Sequence, residues 1–244
     1  LRRTDYGEFD AVVTFLTRDA GKLACIARGV KRPRSKNSPA CQMFVLSRLS
    51  LAAGRRLPVL TQTDIVESFY GLREDVWRAA YATYLCELVD RALPDEEPHP
   101  GLYELLLATL RGVIASAEPE ALAHSFELRL LAELGYEPVL DRCARCGEAI
   151  GEEEALFSPA AGGLVHVEEH DPREPAVQVS PRVVAAMRRL LRPERYEVDL
   201  LRTQIPSALA APLRQAVRAH LAFHLETEPK SLRFLDQLRR LEPD

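Results

Sequence analysis

The spacing of apolar residues changes once along this 244-residue chain, near Gly71, and that change limits the folds open to it. Before Gly71 the pattern is that of strands. Residues 12–17 are β-branched and apolar, and residues 19–21 supply a turn. In residues 23–27, Leu23, Cys25 and Ala27 share one face, with Ala24 and Ile26 on the other. Further strands are expected over 44–51, closed by Ala53 and Gly54, and over 57–67, with Thr61, Thr63 and Ile65 on one face. Four or five short strands in about seventy residues fit a small closed barrel such as the oligonucleotide-binding (OB) fold, and an SH3-like barrel fits the pattern equally.

After Gly71 the period becomes helical. Trp77, Tyr81, Tyr84, Leu85, Leu88 and Val89 define a helix over 74–92, and Leu102, Leu105, Leu106, Leu110, Val113 and Ile114 a second. A third starts near Pro119 and stops at Gly135, a residue suited to the left-handed position beyond a helix end. Residues 138–178 break this rhythm. Ser180 and Pro181 then form a cap and first turn, and helices follow over 208–226 and 231–241. The expected class is α+β and multidomain: an OB-fold barrel over 1–72, a helical domain split between 73–138 and 179–244, and a zinc-ribbon-like insert over 139–178. The simplest assembly makes both helical parts one bundle, with the insert projecting from it.

Charge is distributed unevenly. The net charge is −4, yet residues 1–72 carry 12 Lys/Arg against 6 Asp/Glu, a net of +6, leaving −10 for residues 73–244. Much of the positive charge sits in residues 28–36, which hold Arg28, Lys31, Arg32, Arg34 and Lys36 and no carboxylate. Gly29 allows a sharp turn where the strand ends, and Pro33, Ser35, Asn37, Ser38 and Pro39 oppose a helix. A strand running into a flexible cationic loop suits a nucleic-acid backbone, because each cation that meets a phosphate releases condensed counterions. Arg55 and Arg56, in the turn between the last two strands, extend the candidate surface. The plainer reading is a solvated loop.

A second cluster lies in the insert. Cys143 and Cys146 stand three apart before Gly147, and His166 and His170 stand four apart after Gly162 and Gly163. Thiolate and imidazole donors at these spacings suit tetrahedral zinc, and four protein ligands would make the site structural. A reduced Cys pair beside surface histidines is the plainer alternative, favoured by Glu168 and Glu169. His220 and His224 read as packing residues of a helix.

The chain has 47% apolar and 28% charged residues, the balance of an ordinary soluble domain. It has no apolar run long enough to cross a membrane, and no apolar core of a signal peptide follows its first residues. Five cysteines spread over this length are not a disulfide framework. A reducing cytoplasm is the expected compartment. Neither a phosphate-binding Gly-rich loop, a nucleophile elbow nor a His-Glu-x-x-His pattern occurs, so an enzyme is not expected.

Taken together, residues from both ends resemble the bacterial RecO family of recombination mediators. The matching positions are Asp5-Tyr6-Gly7-Glu8, Thr17 with Gly21 and Lys22, and Ala27 through Arg32 with Ser35. Further on are Cys143, Cys146 and Gly147, then Phe157-Ser158-Pro159 with Gly162-Gly163-Leu164, and Arg218, His224, Lys230 and Ser231. The resemblance implies an N-terminal OB barrel, a helical bundle and an inserted zinc module. It also implies binding of single- and double-stranded DNA, annealing of complementary strands, and cooperation with RecR to load RecA onto strands coated by single-stranded DNA-binding protein (SSB), in a bacterial cytoplasm. One departure concerns the metal. Many family members carry a second Cys-x-x-Cys where this chain has His166 and Glu169, and His170 lies one residue further on, so Glu169 competes with His170 as fourth ligand. Two other functions remain open from the residues alone: a zinc-dependent nucleic-acid enzyme using Glu168 or Glu169 as base, and an adaptor that binds only proteins.

Overall fold

The computed structural model describes residues 1–151, 154–192, 204–225 and 228–241. The alternating segments form five strands, β1 (Arg2–Tyr6), β2 (Asp10–Thr17), β3 (Gly21–Ala27), β4 (Leu46–Ala52) and β5 (Val59–Glu67). They make one sheet in the order β1-β2-β3-β5-β4. Every ladder is antiparallel except β3 with β5, where Ile26 faces Val59. Among the described residues no ladder joins β1 to β4.

The inward face of this sheet is built from small side chains. Ala11, Val13, Cys25, Ala27, Val30, Cys41 and Leu60 form its buried cluster, with Phe15 and Leu49 packed against it. Leu23, on the same alternation as Cys25 and Ala27, is only half-buried. On β5, Leu60 is the buried residue, and Ile65 is 47% exposed. The register shift at Ser50/Leu51 leaves Thr61 as an extra residue, so Leu60 and Thr63, opposite Leu51 and Leu49, share one side of the strand. Residues 2–6, whose charges mask any alternation, form a strand that periodicity does not predict.

By its contacts the chain divides into two units, Leu1–Ile114 with Pro229–Asp244, and Ala115–Glu228. In the first unit the sheet is accompanied by α1 (Val76–Ala92), α2 (Pro100–Ala115) and the last helix, α6 (Lys230–Leu241). The Asp75 side chain accepts the Arg78 N–H at 2.8 Å and caps α1. Helix α6 packs on α1.

The second unit is centred on α3 (Pro119–Glu133), whose residues 121–128 are all buried together with Leu130 and Leu131. A helix covered on every side needs neighbours all round. They are α4 (Pro181–Leu191) and α5 (Ser207–Leu225), with Ser125 Oγ donating to the Leu190 carbonyl at 2.6 Å. The insert contributes a three-stranded sheet in the order β7-β6-β8, from β6 (Ala155–Ser158), β7 (Gly163–Val165) and β8 (Val177–Val179). Strand β8 packs on α5, and Phe157, Leu164 and Val165 are fully buried. The expectation of one bundle with a projecting insert is therefore corrected: the helices divide between two units, and the insert supplies core to one of them. Glu226, the expected end of the 208–226 helix, lies outside the described residues. No helix among the described residues is long and apolar enough to cross a membrane.

Candidate nucleic-acid interface and cysteine–histidine cluster

The cationic loop grows from β3 through a turn that Gly29 makes possible. Its φ of +62° strains any residue with a side chain, although a Cβ there would meet nothing closer than 3.5 Å. Asp10 on β2 accepts the Gly29 N–H at 2.7 Å, and the Phe9 carbonyl accepts the Lys31 N–H at 2.9 Å. Val30 is fully buried between them. Successive turns come next, with Arg32 N–H on the Gly29 carbonyl and Ser35 N–H on the Arg32 carbonyl. At the far end the Asn37 amide donates to the Thr61 carbonyl at 3.3 Å and accepts from Thr63 Oγ1 at 3.1 Å. Ala40 and Cys41 then re-enter the core. The expected flexible loop is thus corrected to an ordered one, held at its start by the Gly29 and Lys31 N–H groups and at its end by the Asn37 side chain.

This scaffold sorts the candidate cations. Arg28, Arg32, Arg34, Lys36, Arg55 and Arg56 are exposed and form no ion pair among the described residues. Lys31 differs. Its Nζ lies 3.0 Å from Asp5 Oδ2 and donates also toward the Gly7 carbonyl. The loop holds no carboxylate close in sequence, but the charge of Lys31 is not free as expected, because its partner comes from β1, 26 residues away. Arg32 lies over the Phe9 ring, 5.1 Å from its centroid.

In the second unit, Cys143-Ala-Arg-Cys146-Gly147 folds as a tight turn. Gly147 donates to the Cys143 carbonyl at 3.0 Å with a φ of +81°. The Ala144 N–H donates to the Leu164 carbonyl at 2.7 Å and ties the turn to β7, while Gly163 next to it packs so closely on Val139 that a Cβ there would lie 2.2 Å from the Val139 carbonyl oxygen. Cys143, Cys146 and His166 bring one donor atom each within 4.8 Å of one another. Cys146 Sγ is 3.4 Å from His166 Nδ1, while His166 Nε2 meets the Ala149 carbonyl at 3.2 Å. Burial pushes the Cys143 thiol up, but the backbone N–H groups of Cys146, His166 and Arg145 hold it down, at about 7. A thiolate cradled by amides beside a second sulfur and an imidazole is a donor set for a soft cation. His170 does not join this group, which corrects its place among the expected ligands. A 3₁₀ turn, Val167–Glu169, separates it from His166, and its Nδ1 is buried without a hydrogen-bond partner among the described residues.

Sequence periodicity marks α3 as plain core, and it holds a charged pair. His124 Nδ1 lies 2.6 Å from Glu127, both side chains being almost fully buried. The i, i+3 spacing was the available signal. His220 and His224 are packing residues as expected: His220 meets Phe157 edge-on, and His224 stacks on Tyr136 with centroids 4.3 Å apart.

Comparison with known proteins places this geometry. The family model described as "Recombination protein O N terminal" matches residues 1–69, and "Recombination protein O C terminal" matches residues 73–233. The chain belongs to the recombination protein O family. Its similarity to individual members of the RecO family runs over nearly the whole length. It is 39% identical over 242 residues to a protein of Symbiobacterium thermophilum named DNA repair protein RecO, covering 98% of this chain and 95% of that one. A protein of the same name from Pelotomaculum thermopropionicum is 37% identical, covering 97% and 91%. Another from Dehalococcoides mccartyi is 32% identical, covering 98% and 94%.

Proposed function

We propose that this chain is a DNA-repair and recombination mediator that acts by binding DNA, without an enzymatic step. It binds single- and double-stranded DNA, anneals complementary strands, and works with RecR to place RecA on strands coated by SSB. The observation that carries this reading is the ordered cationic loop on the first sheet, whose exposed Arg28, Arg32, Arg34 and Lys36 have no competing carboxylate among the described residues. Cations presented on rigid backbone meet phosphates without ordering a floppy loop first, and they read no base edges, so binding is weakly sequence-specific. The strand order β1-β2-β3-β5-β4, with its one parallel pair, supports reading the sheet as a five-stranded OB barrel of the partly open kind.

The test is a gel-shift titration with a single-stranded oligonucleotide across a salt series. Affinity should fall steeply with salt. Arg34→Ala and Lys36→Ala should each shallow the slope by roughly 0.7, the value per phosphate on a single strand. Lys31→Ala should change the slope less, because Asp5 already neutralises it. Changing Arg32, Arg34 and Lys36 together should abolish annealing, and parental binding by that variant would mean that the loop is only solvated surface.

We further propose that Cys143, Cys146 and His166 hold a structural zinc ion, which would cross-link the turn of the insert to the end of β7. A second reading, a metal-dependent nucleic-acid hydrolase, draws on the fact that His170 leaves this set at three donors. Metal-dependent release of nucleotides by the purified chain would favour it.

A further inference from the structure

Beside the cationic loop stands a feature that phosphate binding does not use. The β1–β2 connection, Gly7-Glu8-Phe9, is a tight turn with Gly7 at φ +67°, and it carries two large exposed rings at its ends. Tyr6 is 58% exposed and Phe9 39%. A large ring left in water forfeits the free energy its burial would release, so paired exposed aromatics mark a surface that something else covers.

The neighbours identify the cover. The Arg32 guanidinium lies 5.1 Å from the Phe9 centroid and is itself exposed. Lys31 ties the loop to this turn through Asp5 Oδ2, the Gly7 carbonyl and the Phe9 carbonyl. The β1–β2 turn and the start of the cationic loop, with Lys31 and Arg32, are therefore held side by side. An apolar protein partner would have to strip water from the exposed Arg32 guanidinium at the Phe9 ring. A strand of unpaired nucleotides would not, because its phosphates take the cations while its bases offer flat faces to the rings. Duplex DNA has no base face free to stack.

We propose that Tyr6 and Phe9 form a base-stacking platform that adds affinity for single-stranded DNA which a duplex does not gain. The inference rests on the DNA-binding reading of the cationic loop and adds the residues that read strandedness. Arg32 then has two roles, backing the Phe9 ring and meeting a phosphate.

The experiment compares three probes at fixed salt: a single-stranded 20-mer, a 20-mer of abasic sugar-phosphates, and a 20-base-pair duplex. The parent chain should bind the single strand more tightly than the abasic strand. Tyr6→Ala with Phe9→Ala should lower single-strand affinity by roughly fivefold or more per ring lost. Duplex and abasic affinities should stay at the parental level, and so should the salt slope, since no phosphate contact is removed. Because loss of Phe9 also removes the ring under Arg32, a second variant keeps the surface intact. Phe9→Trp in a Trp77→Phe background should show indole fluorescence quenched by the single strand and not by the abasic strand. An alanine pair that binds the single strand like the parent, or that loses all three probes equally, overturns the platform and leaves the cationic surface standing. A parent chain that binds none of the probes overturns the DNA-binding reading itself.

Discussion

His124 keeps its proton where burial alone would strip it. Desolvation pulls its pKa down, but Glu127 at 2.6 Å and Glu120 at 3.4 Å outweigh it and raise the value to about 9. Glu120 is held in turn by Arg214 at 2.7 Å. His220 goes the other way. Burial, helped by His224 edge-on to it, lowers it to about 4, against the raising effect of its Nε2 bond to the Tyr136 carbonyl at 2.9 Å. A raised folded pKa adds stability below the unfolded value near 6.5, which is lost as pH rises through about 9. A lowered one adds stability above 6.5, which is lost as pH falls through about 4. These two groups therefore give the second unit a stability maximum near neutrality. His124→Gln should flatten the alkaline limb of melting temperature against pH and cost on the order of 3 kcal/mol at pH 7, since it leaves Glu127 buried without its cation. A melting series from pH 4 to 10 checks this, and an unchanged alkaline limb would show that the pair is not ionised. The i, i+3 spacing puts Glu127 beside His124 on the helix, but only packing reveals that both lie in a dry interior.

Among the elements, α6 depends on a contact from far along the chain. Glu87 on α1 accepts the backbone N–H groups of Lys230 and Ser231 and the Ser231 hydroxyl, at 2.9, 2.8 and 2.6 Å. These are the unpaired donors of the α6 N-terminus, where a negative charge is favoured. Although burial pushes the Glu87 carboxyl up, those bonds and Arg91 bring it down to about 2. Glu87→Ala should cost about 1–3 kcal/mol and detach α6 before the sheet unfolds. Urea unfolding should read the loss, and hydrogen exchange should show α6 amides exchanging faster than those of β2. The stabilisation disappears as pH falls from about 4.5 toward 2, because the depressed carboxyl is then protonated in both states. The helix itself was legible from its apolar spacing. Its cap was not, because 144 residues separate Glu87 from Ser231.

For the whole molecule, the charge split of +6 and −10 coincides with the boundary between the first sheet and α1. The proposed DNA surface belongs to one unit and the proposed metal to the other. Loading with zinc should raise the melting temperature of the second unit, because a ligand that binds only the folded form adds to its stability. Chelation should reverse this without changing the salt slope of DNA binding. Cys143→Ser should remove both the metal, measured by elemental analysis, and the response to chelator. A chelator that moved DNA affinity and left melting unchanged would sink the structural role.

Strand and helix periods, the glycine and proline punctuation, the cationic run and the Cys-x-x-Cys turn are all properties of neighbours in sequence, so the residues alone determined them. Only the tertiary structure decided that Asp5 neutralises Lys31, that Asn37 stiffens the loop, that His170 stands outside the cysteine cluster, and that the helices divide between two units. Each of those outcomes depends on groups brought together from distant positions. A hydrogen bond or an ion pair acts over a few ångströms of space, and chain order does not record which distant groups come that close.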